Sequence, residues 1–175
     1  AKLGHPDLQI SIYKSRLDQI AFELAPDIDS NDHPVHIIRT LNHVLFQKNG
    51  FRGQKNYKTD PDPDNSYLNR VLDRKTGLPI ALSVIYILLG KRLELPIVGI
   101  NMPLHFIVKF SETVNGDILI DPFNFGQILT INECCDQIST QFNRKVSKTD
   151  ILKESTNRTI LQRMMTNLFY TYHFL

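Results

Sequence analysis

The segment PIALSVIYILLG, residues 79–90, is apolar almost all the way round. A helix with no polar face must be covered on every side, so a chain containing one needs further elements to enclose it. Twelve such residues are too few to cross a bilayer, which takes about 20, so the run predicts a central buried helix within a globular domain. Pro79 suits its first turn, where the missing N–H has no intrahelical partner to lose. With 175 residues, 42% of them hydrophobic, the chain has enough apolar material for one core and is expected to form a single domain over residues 1–175.

Before this helix, Ile10, Tyr13, Leu17, Ile20, Ala21 and Leu24 recur at helical spacing from Asp7 until Pro26 ends the run. A second helix carries Val35, Ile38, Leu41 and Leu45; it is expected to be capped from Ser30, Asn31 and Asp32 and to end at Asn49-Gly50. Residues 51–64, with alternating Pro and Asp in DPDPD, predict a surface loop without regular structure. A short helix with Leu68, Val71 and Leu72 is expected to be capped by Asn65 or Ser66 and closed by a left-handed Gly77.

After the central helix, LPIVGI, HFIVKF and DILIDPF are β-branched and aromatic runs separated by Asn-Met-Pro and by Asn115-Gly116, a hairpin signal. They predict a small antiparallel sheet. Helices follow at about Ile131 to Phe142, in a short turn after Ser147, and from Asn157 to about Tyr172, the last with Ile160, Leu161, Met164, Leu168 and Tyr172 on one face. The fold class is therefore α+β: a helical part over 1–50, a helix-and-sheet core over 65–130 and C-terminal helices over 131–175. The apolar end at Phe174 and Leu175 is expected to continue into a longer protein.

Net charge is only +2, with both signs interspersed. Arg52, Lys55 and Lys58 form the densest basic stretch, which reads as a solvated loop and does not point to nucleic acid. His33, His36 and His43 lack the further ligands of a zinc site, and DPDPD lacks the glycine and terminal glutamate of a calcium loop, so no metal or cofactor is expected. Cys134 and Cys135 are adjacent, unlike the spaced cysteines of an extracellular scaffold, and no secretory segment opens the chain. A reduced, cytoplasmic setting is the expectation.

One ordering carries chemistry. A nucleophile at the start of a buried helix gains acidity from the helix dipole, a His on a strand serves as its base, and a carboxylate on the next strand orients that His. Pro79, His105 and Asp121 stand in this order. The segments NSYLNRVLDRKTGLPIALSVIYILLGKRLELPIVGINMPLHFIVKF and ILIDPFNFGQIL resemble the SirB1-type domain of the transglutaminase-like, papain-like superfamily, and the likeness runs from about the second helix through TNRTILQRM. In that superfamily GxC opens the central helix, Gly-x-Pro ends it, a His precedes an aromatic residue and an Asp-Pro follows. Gly77-Leu78-Pro79, Glu94-Leu95-Pro96, His105-Phe106 and Asp121-Pro122 stand in those places.

The resemblance implies a transglutaminase-like core whose nucleophile position holds a proline, which has no nucleophilic atom. It implies a non-catalytic domain with a remnant His105–Asp121 pair, binding a protein partner or followed by further helical repeats. The alternative is a hydrolase or amidase in which that pair activates water or Ser83, one turn into the helix from Pro79. Against Ser83 stands the habit of buried helical serines to bond backbone carbonyls, and against a catalytic His–Asp pair the use of such pairs to satisfy buried polar groups.

Overall fold

The computed structural model describes residues 4–29, 31–103, 105–111, 116–142 and 152–175. Helix α1 (Ile10–Leu24) ends in a 3-10 turn at Ala25–Asp27 that contains Pro26. Helix α2 (Pro34–Asn42) widens into a π turn at His43–Lys48 before Gly50 at φ 73° stops it. Then come α3 (Leu68–Arg74), α4 (Pro79–Arg92), α5 (Ile131–Phe142) and α6 (Asn157–Phe174).

Helix α4 is the predicted central helix. Every residue from Pro79 to Gly90 except Leu88 is buried. Helices α1, α3 and α6 pack on it from several sides, and β3 (Ile97–Met102) and β4 (His105–Phe110) cover another. With β5 (Ile118–Asp121) and β6 (Gln127–Leu129) these form an antiparallel sheet in the order β3-β4-β5-β6. Phe106, Val108, Phe110 and Ile120 join the core around α4, while Ile100, Ile107, Leu119 and Leu129 join a second cluster with Cys134 and Ile138 of α5. A sheet covered on both faces explains why its strands read as nearly continuous apolar runs instead of alternating ones.

Several local expectations are corrected. The α2 cap is His33, whose Nδ1 accepts the Val35 amide at 3.3 Å; Ser30 lies outside the described residues. Asn65 and Ser66 do not cap α3. Asn65 closes a 3-10 turn (Pro63–Asn65) that Asp62 caps, and α3 begins after Tyr67 with no side-chain cap. The left-handed residue after α3 is Lys75 (φ 58°), not Gly77, and its ammonium lies 4.4 Å over the Phe51 ring, an attraction that favours placing a cation there.

Gly77 instead belongs to β2 (Thr76–Gly77), paired in parallel with β1 (Arg52–Gly53) inside the stretch expected to be irregular. A side chain at Gly53 would strike Phe123, its Cβ falling 2.7 Å from the Phe123 carbonyl oxygen. That close approach is the reason for glycine in this strand. Strand β6 was not anticipated, because it is only three residues long and follows directly on a 3-10 turn (Pro122–Asn124). Asn115 of the predicted hairpin and the turn after Ser147 lie outside the described residues.

A tight bend joins β5 to β6. Phe125 (φ 58°) and Gly126 (φ 72°) are both left-handed, and the Gly126 amide donates to the Asp121 carbonyl at 2.8 Å. Asn42 Nδ2 donates to the Gly126 carbonyl at 2.8 Å, while its Oδ1 accepts the Tyr86 hydroxyl of α4 at 3.2 Å. Asn42 thus ties α2, α4 and the bend together. A Cβ at Gly126 would lie 1.9 Å from Asn42 Oδ1. Gly126→Ala is therefore expected to destabilise the protein by about 2 kcal/mol or more, read as a lower urea midpoint at unchanged slope.

Candidate functional site

The start of α4 is set by its neighbours. Leu78 is extended, and its amide donates to the Asn65 carbonyl at 2.9 Å. Pro79 then opens the helix with no side-chain cap. The Leu82 amide is the first to return a bond, to the Leu78 carbonyl at 3.1 Å, so the Ile80 and Ala81 amides have no acceptor within the helix. Their partial positive charge points out of the helix start.

His105 opens β4 and Asp121 closes β5. Their ring and carboxylate meet, with Nε2 of His105 at 2.8 Å from Oδ2 of Asp121. Asp121 also accepts the Phe123 amide at 3.0 Å on Oδ1 and the Asn124 side-chain amide at 2.7 Å on Oδ2. Burial pushes the Asp121 pKa up, but the hydrogen bonds and charge from His105, with the bonds from Asn124 and Phe123, outweigh it and hold the carboxyl below its usual range. The Phe123 ring stands edge-on to His105 at 6.0 Å between centroids. The Asp121 bond to one ring nitrogen and the neighbouring Phe123 ring together orient the imidazole.

The His105 side chain keeps 21% of its surface exposed and, with Pro79, lines a cavity of about 530 Å³. The loop at 57–62 and helix α6 complete the walls, through Tyr57, Lys58, Arg163, Asn167, Tyr170 and Phe174. Of the residues singled out in the sequence, His105, Asp121 and Pro79 therefore converge on one end of α4. Ser83 is fully buried, and its hydroxyl donates to the Phe106 carbonyl at 3.1 Å. It fastens α4 to β4 and is not among the residues lining the cavity.

Cys134 is buried, and burial pushes its thiol up to about 11. Among the described residues, no group of three or more His, Cys, Asp or Glu is placed to hold a metal.

Of the apolar face expected on α6, Ile160 and Met164 do pack against the core, but the contribution of the helix's polar residues to the cavity was missed. Leu161 and Tyr172 are exposed, at 61% and 55%, whereas Arg163 and Asn167 are half-buried and Thr171 is buried. The recurring polar set at 163, 167 and 171, four residues apart, was the available signal, and it is informative only once something polar is known to lie beneath it.

The start of α4, His105 of β4 and Asp121 of β5 thus meet at one end of the central helix. The chain belongs to the transglutaminase-like superfamily, whose family model matches residues 12–166. It is similar to a UPF0162 protein of Xylella fastidiosa (strain 9a5c), 33% identical over 176 residues that cover 98% of this chain and 62% of the relative. A UPF0162 protein of Vibrio cholerae is 30% identical over 87 residues, covering 50% of this chain and 31% of the relative. F-box only protein 21 of Homo sapiens is 30% identical over 139 residues, 75% of this chain but 21% of that protein. The chain thus spans 62% of the length of the Xylella relative. No solved structure matches.

The Asp121 geometry sets a pH-dependent expectation. Asp121→Ala leaves the His105, Asn124 and Phe123 donors without their acceptor and should cost about 3 kcal/mol at neutral pH. Because the folded-state pKa is depressed, the carboxylate's stabilisation is complete above the ordinary value of 3.8 and is lost as pH falls through the depressed one. Urea titrations of both proteins at successive pH values should show their stabilities converging only below that value.

Proposed function

We propose that this chain is a SirB1-type domain that has kept the cleft of its superfamily without covalent chemistry, and that it serves as a protein-binding or scaffolding module. The observation that carries this reading is Pro79: it occupies the first turn of α4 and lines the same cavity as His105. A thiolate there would have the dipole and the imidazole beside it; proline has neither lone pair nor acidic proton to offer. The similarity to a 21% portion of F-box only protein 21 supports a module carried within larger proteins. Two free cysteines fit a cytoplasmic setting. Among the described residues no helix is long and apolar enough to cross a membrane.

A second reading is favoured by the access of His105 to the cavity: a hydrolase or amidase in which the His105–Asp121 pair activates water. The bond from Ser83 to the Phe106 carbonyl speaks against the serine as nucleophile in that reading.

One measurement separates these readings, and a second tests the site geometry that both assume. Wild-type protein should show no turnover of fluorogenic amide, ester or γ-glutamyl substrates. Turnover that disappears in His105→Ala would overturn the binding-module reading. Pro79→Cys should acquire a thiol that iodoacetamide labels at about pH 6.5, below the ordinary cysteine range, with the labelled position mapped by mass spectrometry. Adding His105→Ala should raise the pH needed for labelling by at least about one unit.

A further inference from the structure

Helix α6 packs Ile160 and Met164 against the core, but it also turns polar residues toward the protein and leaves other large apolar ones exposed. Leu161, Met165 and Phe169 are 61%, 50% and 67% exposed, while Arg163, Asn167 and Thr171 line the cavity at the start of α4. Arg163 is the unusual member. Taking a guanidinium out of water is costly unless charge or hydrogen bonds compensate, and burial draws its pKa below the ordinary arginine value. Its Nη1 donates to Asn101 Oδ1 at 3.2 Å and, more weakly, to the Met102 carbonyl at 3.5 Å. Both acceptors are neutral.

Arginine has five N–H donors, and among the described residues no carboxylate pairs with Arg163. Asp62 lines the same cavity but is engaged by Arg74 at 2.6 Å. Asp121 faces His105. The remaining charges at the cavity are positive: Lys58 lies 5.9 Å over the Tyr57 ring, and the α4 start contributes its dipole. Tyr57, Tyr170 and Phe174 supply aromatic walls. The cavity is thus electropositive at Arg163, apolar around it, and of a size that holds a few side chains, since binding pockets commonly measure roughly 300–1,000 Å³.

We propose that this cavity recognises an acidic peptide segment, whose carboxylate side chain pairs with Arg163 while a neighbouring apolar side chain lies against Tyr170 and Phe174. This rests on the binding-module reading and names the chemistry of its partner. A planar guanidinium grips a carboxylate through two parallel hydrogen bonds, and an acidic group is what the unmatched charge at Arg163 lacks. A nucleic acid would instead call for a row of cations along the surface, and Arg52 and Lys55 are not among the residues lining the cavity.

The test uses immobilised pentapeptide pools, randomised on either side of a fixed central Glu, Gln, Lys or phosphoserine, probed with the labelled protein. The Glu pool should be retained at least about tenfold more strongly than the Gln pool, the gain expected of a charge-assisted pair. Arg163→Gln should abolish that preference and Arg163→Lys should retain part of it, both with a thermal midpoint within a few degrees of wild type. Equal retention of Glu and Gln pools, a preference that survives Arg163→Gln, or retention of no pool would overturn the proposal. A phosphoserine pool held more tightly than the Glu pool would do so as well, assigning the site to phosphate. Retention independent of Arg163 overturns this inference alone and leaves the binding-module reading standing, whereas His105-dependent turnover removes that reading itself.

Discussion

A helix that cannot show any face to water organises everything around it. Because α4 is buried nearly all round, one side must meet β3 and β4 and the others must meet α1, α3 and α6. The sheet then has a second face to cover, which α5 does through Cys134 and Ile138. The ends of α4 have fewer constraints. At its N-terminus the chain arrives extended, its Leu78 amide engaged by Asn65, and the first free amides of the helix open toward the cleft. The first residue of β4 and the last of β5 reach the same end of the molecule. The cleft is therefore a consequence of how the central helix is enclosed.

Within that cleft two electrostatic arrangements sit side by side. His105, Asp121, Asn124 and the Phe123 amide form a closed group, in which the buried carboxylate is met by three donors. Asn42 supports the group from behind by linking α4 to the bend that holds the Asp121 carbonyl. Arg163, across the cavity, has only neutral acceptors among the described residues. The carboxylate of the first arrangement finds its donors within the chain; the guanidinium of the second keeps donors to spare among the described residues.

The parts of this structure that were legible in the sequence are those governed by hydrophobic pattern. The all-apolar run at 79–90 and the runs HFIVKF and ILID each admit few placements, and the order Pro79, His105, Asp121 was enough to expect a shared site. What was not legible depended on partners distant in the chain. Lys75 adopts a left-handed conformation that sequence alone assigns to Gly77, because Phe51 lies beneath its ammonium and Gly77 is needed beside Val71. The packed face of α6 was legible only in part for the same kind of reason, Ile160 and Met164 meeting the core as their spacing predicts. Hydrophobicity assigns Leu161 and Tyr172 to the interior, but the space beneath the helix is a cavity bordered by His105 and Tyr57, and polar residues face it.

Proline at the head of α4 also bears on how such a chain can change. In the first turn of a helix proline sacrifices no hydrogen bond, and its fixed φ preorganises the entry into the helix. Exchange between a reactive side chain and proline at this position therefore meets little resistance from folding. Selection for a well-folded domain would not by itself retain a nucleophile there, so only continued demand for the reaction would. A single codon at this position decides whether the head of α4 carries a nucleophilic atom at all.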